Sequence, residues 1–139
     1  IDLEIESERY IPKIVADRQK MEQIVVNLIS NARHAIEVKL DPKKKDQTLS
    51  IRIKVFRDDQ HNRVCLEVSD NGIGMDREEK EKCLEPFFTT KDVGQGTGLG
   101  LSIVYNLVRE LNGSIEVESE KNVGSTFKIT IPEEEMADG

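Results

Sequence analysis

Residues 94–100 read GQGTGLG, four glycines in seven positions, and the sequence then turns into an apolar helical pattern. Glycine gives up more conformational freedom on ordering than any other residue, so such a cluster needs a tight turn, a hinge or a ligand close to the main chain. A glycine-rich loop that runs into a helix start also makes an anion site, because the first amides of a helix lack partners and lie at its positive end. The chemistry this implies is phosphate binding. Two common phosphate loops are excluded. No glycine here precedes a lysine, as a Walker A loop requires, and a G-x-G-x-x-G fingerprint started at Gly96 would put its third glycine where Leu101 stands.

The glycines end a longer stretch, EPFFTTKDVGQGTGLGL, residues 85–101. Pro86 stops a helix, Phe87 and Phe88 can latch one end, and the glycines form a hinge at the other, which is the design of a lid. Lys91 is the cation that can reach a phosphate tail. Gly98 and Gly100 let the helix start approach phosphates, and Leu99 and Leu101 return it to a core. An ordinary surface loop with Phe87 and Phe88 as core is the plainer reading.

Two further clusters could complete a site. In NLISNARHA, residues 27–35, a period of about 100° per residue gathers Ile24, Val25, Leu28, Ile29, Ala32, Ala35 and Ile36 on one face. Asn27, Asn31 and His34 fall within about 60° of arc at its edge. An amide oxygen there is a fair magnesium ligand when phosphates supply the rest. In EVSDNGIGM, residues 67–75, Asp70 shares the strand face of Val64, Leu66 and Val68. A carboxylate on a covered face is costly unless it meets donors, and an adenine amino group with a water would supply them. Gly72 and Gly74 would leave room for a planar ring. Ser125, on the face of Phe127, Ile129 and Ile131, could bond the same carboxylate or its water. Polar groups bonded at a helix margin, a DNG turn and a serine bonding its own backbone remain open at each of these places.

The elements that must position these groups are legible from periodicity. Ile1, Leu3 and Ile5 alternate with acidic residues, as in a half-buried strand. A short extended piece is expected near Lys13–Val15, and Asp17 caps a helix running to about Lys39. Strands follow around residues 51–57 and 64–69, joined by a hairpin turn. A short helix covers 76–84, and a long one spans 98–111 with Asn112 and Gly113 at its end. Strands begin at Ile115 and Val117 and around Phe127, Ile129 and Ile131, with Gly124 at the bend. Each strand has one apolar and one charged face, which predicts an α/β two-layer sandwich with helices on one side of the sheet.

The chain of 139 residues is one domain's worth, and its net charge of −7 argues against nucleic acid. No apolar run is long enough to span a bilayer. The opening directly on a strand is expected of a segment from a longer protein. Cys65 and Cys83 lack metal-ligand spacing and are expected as reduced thiols in a cytoplasmic protein. The domain is expected over residues 1–133, followed by an acidic, disordered tail at 134–139.

NLISNA, DNGIGM, EPFFTTK and GTGLGLSIV, in that order, resemble the N, G1, F and G2 boxes of the ATP-binding catalytic domain of sensor histidine kinases, and NGSIEVES…GSTFKITIP resembles that domain's closing strands. The likeness runs from about residue 1 to Pro132. It implies a mixed, largely antiparallel sheet with helices on one face, a mobile lid, and ATP between them. It also implies Asn31 as magnesium ligand with Asn27 beside it, and Asp70 reading the adenine amino group, with Gly72, Ile73, Gly74 and Met75 around the ring. Thr90, Lys91, Gly96, Thr97, Gly98, Leu99, Gly100 and Leu101 would hold the phosphates, with Ala35 and Ser125 lining the pocket. His34 stands where relatives often carry lysine.

The ATPase branch of this superfamily has a glutamate base one helical turn before the magnesium asparagine, and here that place is Asn27. An amide cannot take a proton from water at neutral pH, so phosphoryl transfer is expected rather than hydrolysis. The resemblance further implies an acceptor histidine on a dimerisation domain of the same protein, a response-regulator receiver beyond it, a monomeric catalytic domain and no direct membrane contact. A serine kinase of the anti-sigma type and a nucleotide-gated binding module remain alternatives.

Overall fold

A computed structural model describes residues 2–7, 18–41, 43, 48–58, 60, 62–84 and 100–132. In chain order these form β1 (Asp2–Ser7), α1 (Arg18–Lys39), β2 (Ser50–Asp58), β3 (Arg63–Asp70), α2 (Arg77–Lys82), α3 (Gly100–Glu110), β4 (Ser114–Glu120) and β5 (Gly124–Pro132). The extended piece near Lys13–Val15, the Asp17 cap, the 85–99 stretch and the acidic tail lie outside the described residues.

The five strands make one sheet in the order β1-β2-β3-β5-β4. β1 runs parallel to β2, and the other three pairings are antiparallel. The last strand therefore sits between β3 and β4, which places Asp70 directly opposite Ser125. The sheet is mixed and largely antiparallel, as expected.

α1 and α3 cover one face. Ile24, Leu28, Ala32 and Ile36 of α1 are buried against Leu66 and Val68 of β3 and Phe127, Ile129 and Ile131 of β5, with Val104 and Val108 of α3 closing the core. Lys20 pairs with Glu110 at 3.1 Å, and Asn27 lies beside Gly100, so the two helices run antiparallel. The end of α3 is a Schellman motif: the Gly113 amide donates to Val108 C=O at 2.9 Å and the Asn112 amide to Arg109 C=O at 3.0 Å. Asn112 takes the left-handed conformation, with φ 60°, so of the expected Asn-Gly pair it is the asparagine that turns the chain. α2 opens on a complete capping box between Asp76 and Glu79.

Two strand expectations need correction. Leu3 and Ile5 are in register with Ile51 and Ile53 yet remain 57% and 67% exposed, so β1 is not half-buried. The described helices lie over β2, β3, β5 and β4 and leave the edge strand beyond their reach. Conversely, the open face is not wholly charged. Cys65 is buried there between its register partners Phe56 and Thr130, and the Lys54 and Lys128 ammonium groups lie 5.1 and 5.8 Å from the Phe56 ring centre. Both cysteines are unpaired and buried, and burial pushes the Cys83 thiol up to about 11, so it is protonated and inert at neutral pH.

The uneven burial has a measurable consequence. Phe127→Ala, at the centre of the core, is expected to lower unfolding free energy by about 3–5 kcal/mol. Ile5→Ala, on the exposed edge, is expected to change it by no more than roughly 0.5 kcal/mol. Urea titration of the two variants against the parent checks the contrast.

Candidate nucleotide-binding site

β3 carries its apolar alternation one step too far for comfort: the residue after Val68 on the covered face is Asp70, which is 8% exposed. Its Oδ1 accepts the Gly72 amide at 2.9 Å, and the Ser125 amide also donates to the carboxylate. Burial raises its pKa from the ordinary 3.8 to about 6, while the two amides and the nearby Lys39 ammonium pull it back down. The carboxylate is therefore mostly ionised at pH 7 and partly satisfied by backbone donors, with acceptor capacity left for a ligand.

The loop after Asp70 is held on both sides. The Ile73 amide donates to Ala35 C=O of α1 at 2.9 Å, and Ile73 C=O accepts the Asn122 amide from the β4–β5 turn at 2.6 Å. Ser119 Oγ accepts the Met75 amide at 2.8 Å, donates to Gly124 C=O at 3.1 Å and lies 2.7 Å from Ser125 Oγ. Asn71 ties the loop to the start of β2, accepting the Ser50 amide at 2.7 Å and donating to Thr48 C=O at 2.6 Å.

This changes the reason for two glycines. A Cβ on Gly72 would stand 2.5 Å from the Ala35 carbonyl carbon and 2.8 Å from the Ala35 Cβ. One on Gly74, which has φ 66°, would overlap the Glu120 carbonyl oxygen. The space they leave is taken by α1 and the β4–β5 turn, not by a ring; the glycines let the loop dock. Ser125 differs from expectation as well: its backbone amide serves Asp70, and its hydroxyl serves Ser119.

α1 contributes the other wall. Asn27, Asn31, His34 and Ala35 are half-buried along its margin, and Asn31 lies one turn before the Ala35 carbonyl on which Ile73 docks. Asn27 Nδ2 donates back to Gln23 C=O at 2.9 Å, and a methyl group on Gly100 would lie 3.6 Å from Asn27 Oδ1. The start of α3 at Gly100 thus lies beside Asn27 on the asparagine edge, and the first amides of a helix favour an anion. On the opposite side of α1, Met21, Glu22, Val25 and Val26 line a separate cleft of about 380 Å³. Thr90, Lys91, Gly96, Thr97, Gly98 and Leu99 lie outside the described residues.

Residues 16–135 match the family described as histidine kinase-, DNA gyrase B- and HSP90-like ATPase. The chain belongs to that family. Sensor kinase CckA of Brucella abortus (strain 2308) is 40% identical over 146 residues, covering 99% of this chain and 15% of that protein. The nucleotide-free catalytic domain of histidine kinase ThkA superposes with a TM-score of 0.74 at 32% identity, covering 95% of this chain and 78% of that one. Full-length ShkA, solved in complex with AMPPNP, superposes with a TM-score of 0.77 at 26% identity over 95% of this chain and 25% of its own. The protein is accordingly an ATP-binding catalytic domain of the histidine-kinase type, and it spans about a seventh of the CckA relative's length.

Sequence reasoning missed Ser119 and Lys39. Ser119 continues the half-buried face of Ile115 and Val117 in β4, and that polar step on an apolar face is the signal that could have found it. Lys39 reads as an ordinary basic residue in a last helical turn. Its ammonium donates to Asn71 C=O at 2.9 Å and to Asn122 C=O at 3.0 Å, and neither partner could be known from sequence.

Because a methyl group at position 72 meets backbone rather than a pliable side chain, Gly72→Ala must lift the loop from α1 and break the Ile73–Ala35 bond. Affinity for Mg-ATP is expected to fall about tenfold or more, the loss of one well-aligned bond to a charged acceptor. Titration with a fluorescent ATP analogue checks it.

Proposed function

We propose that this domain binds ATP with the base against Asp70 and the phosphates between the Asn27–Asn31 edge and the start of α3, and donates the γ-phosphate to a histidine on a dimerisation domain of its parent protein. The buried, mostly ionised Asp70 at the end of β3, beside the loop docked on α1, carries the reading. An adenine N6 amino group can donate to it, whereas a guanine O6 in the same place would set acceptor against acceptor. A response-regulator receiver would take the phosphoryl group onward, and the reaction would run in the cytoplasm, where ATP is. Among the described residues no helix is long and apolar enough to cross a membrane.

The donor set fits a magnesium ion that arrives with the nucleotide. Among the described residues no group of three His, Cys, Asp or Glu side chains could hold a metal, while Asn31 is half-buried on the α1 margin and its amide oxygen would be the protein ligand. Magnesium keeps several waters and takes few protein ligands beside phosphate oxygens. When bound it would supply charge neutralisation on the phosphates. The protein's own part is positioning: α1 and the Asp70 loop fix the base, the α3 amides orient the tail, and Lys91 would add a cation. A free imidazole nitrogen of the acceptor attacks the γ-phosphorus as the bond to the β-bridging oxygen breaks, and ADP leaves. Asn27 offers no base for water, which favours transfer over hydrolysis.

Two measurements test this. The domain mixed with its parent's histidine-bearing helical hairpin and γ-labelled ATP is expected to give acid-labile label on the hairpin. Acid-stable label would instead indicate a hydroxyl acceptor, and no transfer would defeat the kinase assignment.

The pH dependence has a definite sign. Adenine binding needs the ionised carboxylate, so affinity is expected to be flat above about pH 7 and to fall as pH drops through about 6. Stability without nucleotide slopes the other way. Between 3.8 and about 6 the folded carboxyl holds a proton that the unfolded chain has released, so stability falls as pH rises across that window. Asp70→Asn is expected to remove both slopes and to weaken Mg-ATP binding by roughly tenfold to a hundredfold. Calorimetric titration at pH 5.5–8 reads the first effect, and thermal melts at pH 4–7 read the second.

A further inference from the structure

Lys39 is the last residue of α1, half-buried, with its ammonium bonded to carbonyls from two different segments. Asn71 C=O, at 2.9 Å, belongs to the residue directly after Asp70. Asn122 C=O, at 3.0 Å, belongs to the β4–β5 turn. Those two segments are themselves joined by the Asn122 amide donating to Ile73 C=O at 2.6 Å. The lysine thus closes a ring that runs from α1 through the Asp70 loop and the turn and back to α1 at Ala35. Lysine loses much side-chain freedom when it is fixed like this, so the arrangement needs a gain elsewhere.

We propose that Lys39 is a positioning residue for base recognition, its ammonium locking the Asn71 and Asn122 carbonyls to the end of α1 so that the loop presents the Asp70 carboxylate to the nucleotide in one geometry. The proposal rests on the reading of Asp70 as the adenine acceptor. A cation at a helix C-terminus also favours the helix dipole, and that purely structural role predicts lower stability with no effect on recognition. What separates the two is the coupling to Asp70. The Lys39 ammonium favours the ionised form of that carboxylate. The other neighbours of the carboxylate are the Gly72 and Ser125 amides, which are neutral. In the β4–β5 turn Glu120 is exposed and Lys121 is paired with Glu79 at 3.0 Å, and Asp41 lies just past the helix end.

The test is a double-mutant cycle on the 139-residue chain with Mg-ATP as the probe. Lys39→Met keeps the aliphatic stem and removes the charge. It is expected to weaken binding about tenfold at pH 8, as loss of charge-assisted contacts does, and by more at pH 6, because the Asp70 pKa rises. Carboxyl-carbon NMR of Asp70 should show that rise directly. In an Asp70→Asn background the same change is expected to cost less than about twofold, since coupled residues do not add. Lys39→Arg should restore most of the affinity. If Lys39→Met does not fold, Lys39→Gln, which keeps a donor without charge, gives the same readouts. Unchanged affinity from pH 5.5 to 8, or an equal loss with and without Asp70, overturns the proposal. If Asp70→Asn itself leaves binding intact, the reading of the base site is what has failed.

Discussion

A carboxylate taken out of water at the end of a central strand is the constraint around which the described half of this site is arranged. Asp70 continues the face of Val64, Leu66 and Val68, where an apolar side chain would cost nothing. Keeping it ionised near neutral pH requires donors, and the chain supplies them from places distant in sequence: the Gly72 amide from the following turn, the Ser125 amide from the strand inserted beside β3, and the Lys39 charge from the end of α1. The loop conformation, β5 and the end of α1 each contribute to meeting that need. An incompletely satisfied carboxylate in a cleft is also what a base with an exocyclic amino group can recognise.

α1 serves three purposes at once because its periodicity separates them. One face buries Ile24, Leu28, Ala32 and Ile36 in the core. The margin beside it carries Asn27, Asn31 and His34, with Asn27 beside Gly100 of α3. Its C-terminus reaches the Asp70 loop through the Ala35 carbonyl and Lys39. The walls proposed to face the nucleotide are thereby attached to the core, which is how a site holds reactants in a productive geometry. The same helix bears on the proposed chemistry through Asn27, whose amide cannot deprotonate water.

Much of this was open to reading along the chain. Strand alternation located β2, β3 and β5, the 100° period located both long helices, and the face occupied by Asp70 marked it as out of place before any coordinates. The four boxes, in order, pointed to the family. The misreadings are instructive because each turns on what the residue meets, or fails to meet, in space. Gly72 and Gly74 looked like room for a ring, but Ala35 and Glu120 fill that room. Ser125 looked like a side-chain partner of Asp70, but its register gives the carboxylate an amide and leaves the hydroxyl to Ser119. Leu3 and Ile5 looked half-buried, but alternation says only which face a residue shares and not whether anything covers it.

The sequence by itself determined the elements, their apolar faces and the residue types available for phosphate and base. These are local properties, written in spacing and side-chain chemistry. Only the tertiary structure decided that β5 lies between β3 and β4, that the two loop glycines answer to Ala35 and Glu120, and that Lys39 ties three segments together. Each of those depends on which segments meet in space, and periodicity carries no record of that. The pairings follow from burying one shared core while satisfying one costly charge, a condition the chain meets only as a whole.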